Sequence, residues 1–170
     1  MITYYTIYES PIQPIMLTSN GMALTGLYLN QHRNGPENDA DWICDPEIAP
    51  FPRVREQLDA YFEGKLTIFD VPLAPRGTDF QQRVWQELTH IPCGETISYG
   101  ELARRIGSPN ASRAVGLANS RNPISIIVPC HRVVGANGKM TGYAGGISSK
   151  EALLKLEASH STQKPLVFKY

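Results

Sequence analysis

Residues 126–138 read IIVPCHRVVGANG and set a cysteine, a histidine and an arginine in succession, Cys130, His131 and Arg132, behind an apolar run and a proline. A thiol is a useful nucleophile only as thiolate, and with an ordinary pKa of about 8.5 it is only a few per cent ionised near neutrality. An imidazole can take its proton. His131 is the sequence neighbour, but neighbours in an extended segment point to opposite sides, so contact need not be direct and a bridging water can relay the proton. An acid that orients the imidazole would complete the arrangement, and Glu157 is one candidate among several. The competing reading of Cys130 is a buried, inert thiol, the commonest fate of a free cysteine. Pro129, His131, Arg132 and the glycine-rich TGYAGG downstream, which can bring backbone N–H groups close to a ligand, favour the nucleophile. For Cys93, in HIPCGET, inert packing is the better reading.

The three cysteines are an odd number without a pairing pattern, which argues against a disulfide scaffold and for a reducing compartment. No Cys-x-x-Cys or His-x-x-x-His occurs, so His32 and Cys44 are expected as a surface histidine and a small buried thiol rather than metal ligands. The N-terminal stretch lacks a basic region followed by an unbroken apolar run, and no run reaches membrane-spanning length; a soluble, unexported, cytoplasmic chain is expected. The net charge of zero hides an asymmetry: residues 76–160 hold ten Lys/Arg against six Asp/Glu, and the remainder six against ten. The C-terminal half is the part that could favour a polyanion.

The elements that must position these groups form an α+β chain. TYYTIYES, IMLTS and MALTGLYLN read as strands, and Asn20-Gly21 signals a hairpin, so a small N-terminal antiparallel sheet is expected. A polar loop runs to about Pro50. Val54, Leu58, Tyr61 and Phe62 then fall at helical spacing ahead of Gly64, predicting a helix that covers one sheet face. TIFDVPLAPRG reads as an extended linker, which divides the chain into domains at 1–75 and 76–170. The second domain is mostly helical, with capping boxes at Thr78/Gln81, Ser98/Glu101 and Ser148/Glu151. Helices over roughly 98–106 and 110–119, joined by GSPN with Pro109 in the first turn of the second, have the dimensions of a helix-turn-helix. The second helix is nearly all small residues around Arg113. That suits either close helix packing or a helix that approaches a nucleic-acid backbone with one long side chain as probe.

PCHRVVG, with NPISIIV before and GYAGG after, together with FQQRVW, IPCGETISYGELA and ASRAVGLAN, resembles the O6-alkylguanine-DNA alkyltransferases, the methylated-DNA:protein-cysteine methyltransferases, nearly continuously from about Phe80 to Glu157. The resemblance implies DNA repair by irreversible, stoichiometric transfer of an alkyl group from O6-alkylguanine in duplex DNA to Cys130, after minor-groove binding and base flipping. It implies that His131 deprotonates the thiol through water, that Glu157 holds this histidine, and that Asn122 ties the recognition helix to the active-site loop. Tyr99 would help rotate the nucleotide and contact the flipped base, while Arg113 fills the vacated space. Ala111, Ser112 and Gly116 would line the DNA, and Val133, Tyr143 and Ala144 the base pocket, with backbone carbonyls of Cys130 and Val133 as acceptors and a donor to O6 at position 144. Some relatives carry serine where this chain has Ala144, so a hydroxyl contribution is lost and the backbone N–H remains. Some bind zinc through N-terminal Cys and His; no Cys or His precedes residue 30, and no metal is expected. No cofactor is expected either, and the partner is double-stranded DNA carrying the lesion, met by a monomer. O4-alkylthymine as a second substrate and cooperativity on DNA stay open.

Two other classes stay open as well. A cysteine hydrolase built on Cys130 and His131 would turn over, whereas a thioether on Cys130 would not be released. A non-catalytic helix-turn-helix binder would repair nothing and would have no use for Cys130.

Overall fold

The computed structural model describes residues 1–29, 41–140 and 142–160. His32 lies outside them. Strands β1 (Tyr4–Glu9), β2 (Pro14–Ser19) and β3 (Leu24–Leu29) form an antiparallel meander. Asn20 closes the β2–β3 turn, its Oδ1 accepting from the N–H groups of Met22 and Ala23 at 2.9 Å each, while Gly21 takes a φ of 95° that favours glycine. The hairpin signal is therefore realised with a four-residue connection. The sheet is mixed rather than purely antiparallel: β4 (Ile43–Cys44) pairs parallel to β1 at the edge, giving the order β3-β2-β1-β4. Two residues are too few to show a period, which is why this stretch reads as polar loop in sequence. Cys44 is exposed there, not buried as expected.

Helix α1 (Phe51–Phe62) buries Phe51, Val54, Leu58 and Tyr61, and its Asp59 accepts a 2.6 Å hydrogen bond from Tyr8 of β1. Gly64, at a φ of 79°, ends it as the sequence predicts. The expected linker is not a free tether. Leu24 donates to Pro72 O (2.9 Å) and accepts from Ala74 N (2.8 Å), so residues 72–74 lie along β3 and the turn to the next helix starts from a fixed point.

Helix α2 (Asp79–Leu88) carries the predicted box, with Thr78 Oγ1 accepting from Gln81 N and Gln81 Oε1 accepting from Thr78 N. Trp85 of α2 donates its indole N–H to Ala118 O at 2.8 Å, joining α2 to helix α4 (Ser112–Ser120). Between them lie β5 (Ile97–Ser98) and α3 (Tyr99–Arg105). Ser98 caps α3 by accepting from Glu101 N at 3.0 Å, but the Glu101 carboxylate turns to Arg104 and Arg105 instead of closing the box. Pro109 and Asn110 stay in the turn, because α4 starts two residues later than predicted. β6 (Val133–Val134) pairs parallel with β5, and α5 (Ile147–His160) closes the chain of described elements. Ser148 is already inside α5 and cannot cap it: the first helical bond runs from Lys150 N to Gly146 O at 3.1 Å, a turn set by Gly146 at a φ of 93°. Among the described residues no helix is long and apolar enough to cross a membrane.

Candidate active site

The segment that carries Cys130 is wound, not extended. Asn122, just past α4, donates from Nδ2 to Val128 O at 2.8 Å and accepts Ile124 N at 3.0 Å. Ile127 N to Ser125 O (2.8 Å), Val128 N to Ile124 O (3.0 Å) and Cys130 N to Val128 O (2.8 Å) continue as tight turns. Ile126 sits at a φ of 71°, uncommon for a β-branched residue and costing on the order of 1–3 kcal/mol, which its buried surroundings must supply. From the sheet, Leu27 bonds Pro123 O (2.9 Å) and Ser125 N (3.1 Å), so β3 holds the near end of the segment. Cys130–Arg132 is a single turn of 3-10 helix, which overturns the extended reading. Successive side chains in such a turn diverge by about 120°, so Cys130 and His131 still point apart.

Cys130 is buried, and burial raises its pKa; Asn122, the Lys150 ammonium, Ser125 and Tyr143 each pull the other way without prevailing. The resting sulfur is a thiol surrounded by groups that favour its anion. Tyr143 is buried against Cys130 and Ser125, its pKa raised well above the ordinary value first by burial and then by the sulfur.

His131 is fully buried, and its Nε2 meets Glu157 Oε2 at 2.7 Å. A carboxylate only accepts, so Nε2 carries the hydrogen and the lone pair is left on Nδ1, which is buried without a partner. Burial alone would raise the Glu157 pKa, but His131 and Arg132 outweigh it and hold the carboxyl well below the usual carboxylate range. Arg132 grips the same group with both arms, Nε to Oε1 at 2.8 Å and Nη2 to Oε2 at 3.0 Å, and spends Nη1 on Ile91 O at 2.6 Å. The apolar turn tolerates an arginine because its charge is neutralised where it lies. The fourth donor comes from α1: Tyr61 OH bonds Oε2 at 2.5 Å.

The glycine-rich loop rests on the N-terminal sheet. A Cβ at Gly145 would stand 2.1 Å from Leu29 Cδ1, so only glycine lets the loop lie this close, and Gln13 ties it down by donating to Gly145 O (3.0 Å) and to Ser149. Ala144 in this loop is half-buried, and Val133 is fully buried with its carbonyl already accepting from Lys150 Nζ at 2.7 Å. Tyr99, half-buried at the start of α3, stands beside Gly116 of α4, where an added Cβ would be 3.7 Å from its Cδ1. Ser112 and Arg113 are exposed on α4 and Ala111 is half-buried before it, whereas Val115, Ala118 and Asn119 face inward. The inner small residues of α4 thus serve helix packing, and only the outer ones are free to meet a large partner.

Three contributors escape the sequence reading. Asn119, buried on α4, donates to Cys130 O at 3.3 Å and so joins α4 to the thiol turn more directly than Asn122 does. Lys150 is almost fully buried, and burial lowers its pKa to about 8 against the opposing pull of Cys130. Its spacing from Leu153 and Glu157, three and seven residues, places all three on the inner face of α5 and was a readable signal. Tyr61 sits on a face that reads as plain core, and nothing in sequence joins it to Glu157.

A cavity of about 490 Å³ opens behind this site, lined by Phe69, Ile91, Cys93, Pro129, Arg132 and His160. Among the described residues no cluster of three or more His, Cys, Asp or Glu could hold a metal ion.

Comparison with known proteins points to a single family. The profile described as "6-O-methylguanine DNA methyltransferase, DNA binding domain" matches residues 79–159, and that for the "ribonuclease-like domain" of the same family matches 3–75. A methylated-DNA–protein-cysteine methyltransferase of Methanosarcina mazei is 55% identical over 157 residues, covering 92% of this chain and 98% of that protein. One from Mycobacterium bovis is 56% identical over 161 residues, covering 95% of each. The crystal structure of Mycobacterium tuberculosis OGT in complex with DNA superposes with a TM-score of 0.86 at 55% identity, covering 92% of this chain and 94% of that one.

Proposed function

The chain belongs to the 6-O-methylguanine DNA methyltransferase family, and we propose on that footing that Cys130 is the sulfur onto which it draws the alkyl group from DNA. It is a methylated-DNA–protein-cysteine methyltransferase that repairs DNA by alkyl transfer to a cysteine. The observation that carries the assignment of the sulfur is the buried Glu157–His131 pair, which leaves a free imidazole lone pair one residue from a thiol ringed by anion-favouring groups.

Nδ1 of His131 takes the thiol proton through a water. The thiolate then attacks the alkyl carbon, a C–S bond forms as the C–O6 bond breaks, and the electron pair leaves on guanine. Tyr99 and the N–H at Ala144 meet the charge on O6, while the carbonyls of Cys130 and Val133 accept the guanine amino group. The product is a thioether, which water does not cleave, so one molecule removes one lesion. The alkyl donor is the DNA itself, and no diffusible cofactor enters the equation.

A base alkylated at O6 is out of reach inside a duplex and must be extruded, at a cost of a few kcal/mol that is smallest where pairing is already impaired. Arg113, exposed at the start of α4, offsets part of that cost by entering the space the base leaves, with Ala111, Ser112 and Gly116 letting the helix approach the floor of the minor groove. The division at residue 75 separates a supporting N-terminal domain from the domain that meets DNA. Asn122 and Asn119 convey the position of α4 to the thiol turn.

Incubation with a duplex carrying O6-methylguanine should add the mass of one methyl group per molecule, and peptide mapping should place it on Cys130. Arg113→Ala should slow this transfer far more than transfer from the free alkylated base. Release of product with turnover, or the label on another residue, would overturn the reading. A duplex carrying O4-methylthymine asks in the same assay whether that base is accepted.

A further inference from the structure

We propose that Tyr61, from α1, is a positioning residue for the alkyl transfer: its hydroxyl donates to Oε2 of Glu157, the oxygen that also receives His131 Nε2, and limits how tightly the carboxylate holds the imidazole proton. The proposal rests on the reading of His131 as the base.

Tyr61 and Glu157 are 96 residues apart, and both are fully buried. Oε2 thus collects three donors, Tyr61 OH at 2.5 Å, His131 Nε2 at 2.7 Å and Arg132 Nη2 at 3.0 Å, while Oε1 has Arg132 Nε. Each donor stabilises the ionised carboxylate and draws off part of the negative charge left for the others. The phenol stays protonated, because burial and then the Glu157 charge raise its pKa far above the ordinary value. It is a permanent donor, not an exchanging acid. A carboxylate that binds imidazolium too tightly makes His131 slow to be a free base, and one shared with Tyr61 and Arg132 binds it less tightly. The other ionisable groups around this pair are Cys93 before β5, Tyr143 of the glycine-rich loop, His160 against the Tyr61 ring and, on the far side of the thiol, Lys150.

Tyr61→Phe keeps the ring among Phe62, Phe69 and His160, whose ring centroids lie 5.2, 5.4 and 5.9 Å away, and removes only the hydroxyl. The rate of single-turnover methyl transfer is measured against pH from about 5 to 9. In Tyr61→Phe the acid limb should move to higher pH by about one unit, a roughly tenfold loss of rate on that limb, with little change on the plateau. Replacing Tyr61 by 3,5-difluorotyrosine, a stronger donor, should move the limb to lower pH. Leu58→Ala, which loosens α1 without touching the hydroxyl, should lower stability and leave the limb in place. An unmoved limb in the first two variants, or an equal movement in Leu58→Ala, overturns the proposal. If Tyr61→Phe does not fold, the difluorotyrosine protein alone decides by the sign of its shift. The low-field proton resonance of His131 Nε2–H needs no transfer and should move downfield in Tyr61→Phe. A wild-type protein that takes up no methyl group therefore refutes the function of the site, while an unmoved resonance refutes the role of Tyr61.

Discussion

Two thiols flank the Arg132–Glu157 pair, and they differ in what the pair shows them. Cys93, half-buried in the rear cavity, has an imidazole nitrogen of its own, His160 Nδ1 at 4.0 Å, and Arg132 within reach. Its pKa is nonetheless pushed up to about 11, by burial first and then by the Glu157 charge, against the opposing pull of Arg132. Cys130 is also raised by burial, yet the side chains that act most on it, Asn122, Lys150, Ser125 and Tyr143, favour the anion. A nearby histidine therefore does not make a nucleophile. What separates the two is the sign of the surroundings and an imidazole whose other nitrogen is already committed, as His131 Nε2 is to Glu157.

Glu157→Gln should disturb this contrast most. It leaves Arg132 buried without its counter-charge, which costs about 3–5 kcal/mol of stability in chemical denaturation. It should also slow methyl transfer by roughly a hundredfold as the imidazole loses its anionic partner. At the same time it removes the charge that, after burial, does most to hold Cys93 protonated, so iodoacetamide should label Cys93 faster than in wild type. Lys150→Met comes next: with the ammonium gone, the anion of Cys130 loses one of its supports and transfer should slow about tenfold at neutral pH, while Cys93 labelling is unchanged. The smallest effect concerns Cys93 in the unmodified protein. Because its pKa is raised, the thiol stays protonated at neutrality, and its labelling rate should keep rising with pH toward about 11 instead of levelling near the ordinary thiol value. Levelling near pH 9 would remove the distinction between the two sites on the Cys93 side.

Legibility followed the range of the interactions. Thr78 and Gln81 cap each other within three residues, and that box formed as predicted. The Ser148/Glu151 box has the same pattern and did not form, because Gly146 had already started the helix. The apolar run leading to Cys130 reads as an extended segment, and its turns became visible only with Asn122 bonded to Val128 and Leu27 bonded on either side of Ile124. Glu157 stood among several candidate acids until α5 carried it against the thiol turn. Lys150 was recoverable from its spacing; Asn119 and Tyr61 were not, since nothing local marks a core tyrosine or a helix-end asparagine as the donor to a distant group.

Residue types and periods a few residues long were enough to put forward Cys130 and His131 as a candidate nucleophile and base, to place the helices around them and to show the likeness to a family. Tertiary structure decided which nitrogen of His131 is free, where the charge of Arg132 goes, and that a hydroxyl from α1 reaches the acid of α5. Those outcomes depend on hydrogen bonds between segments 25 to 96 residues apart, whose geometry exists only once the sheet, α1 and α5 are packed together.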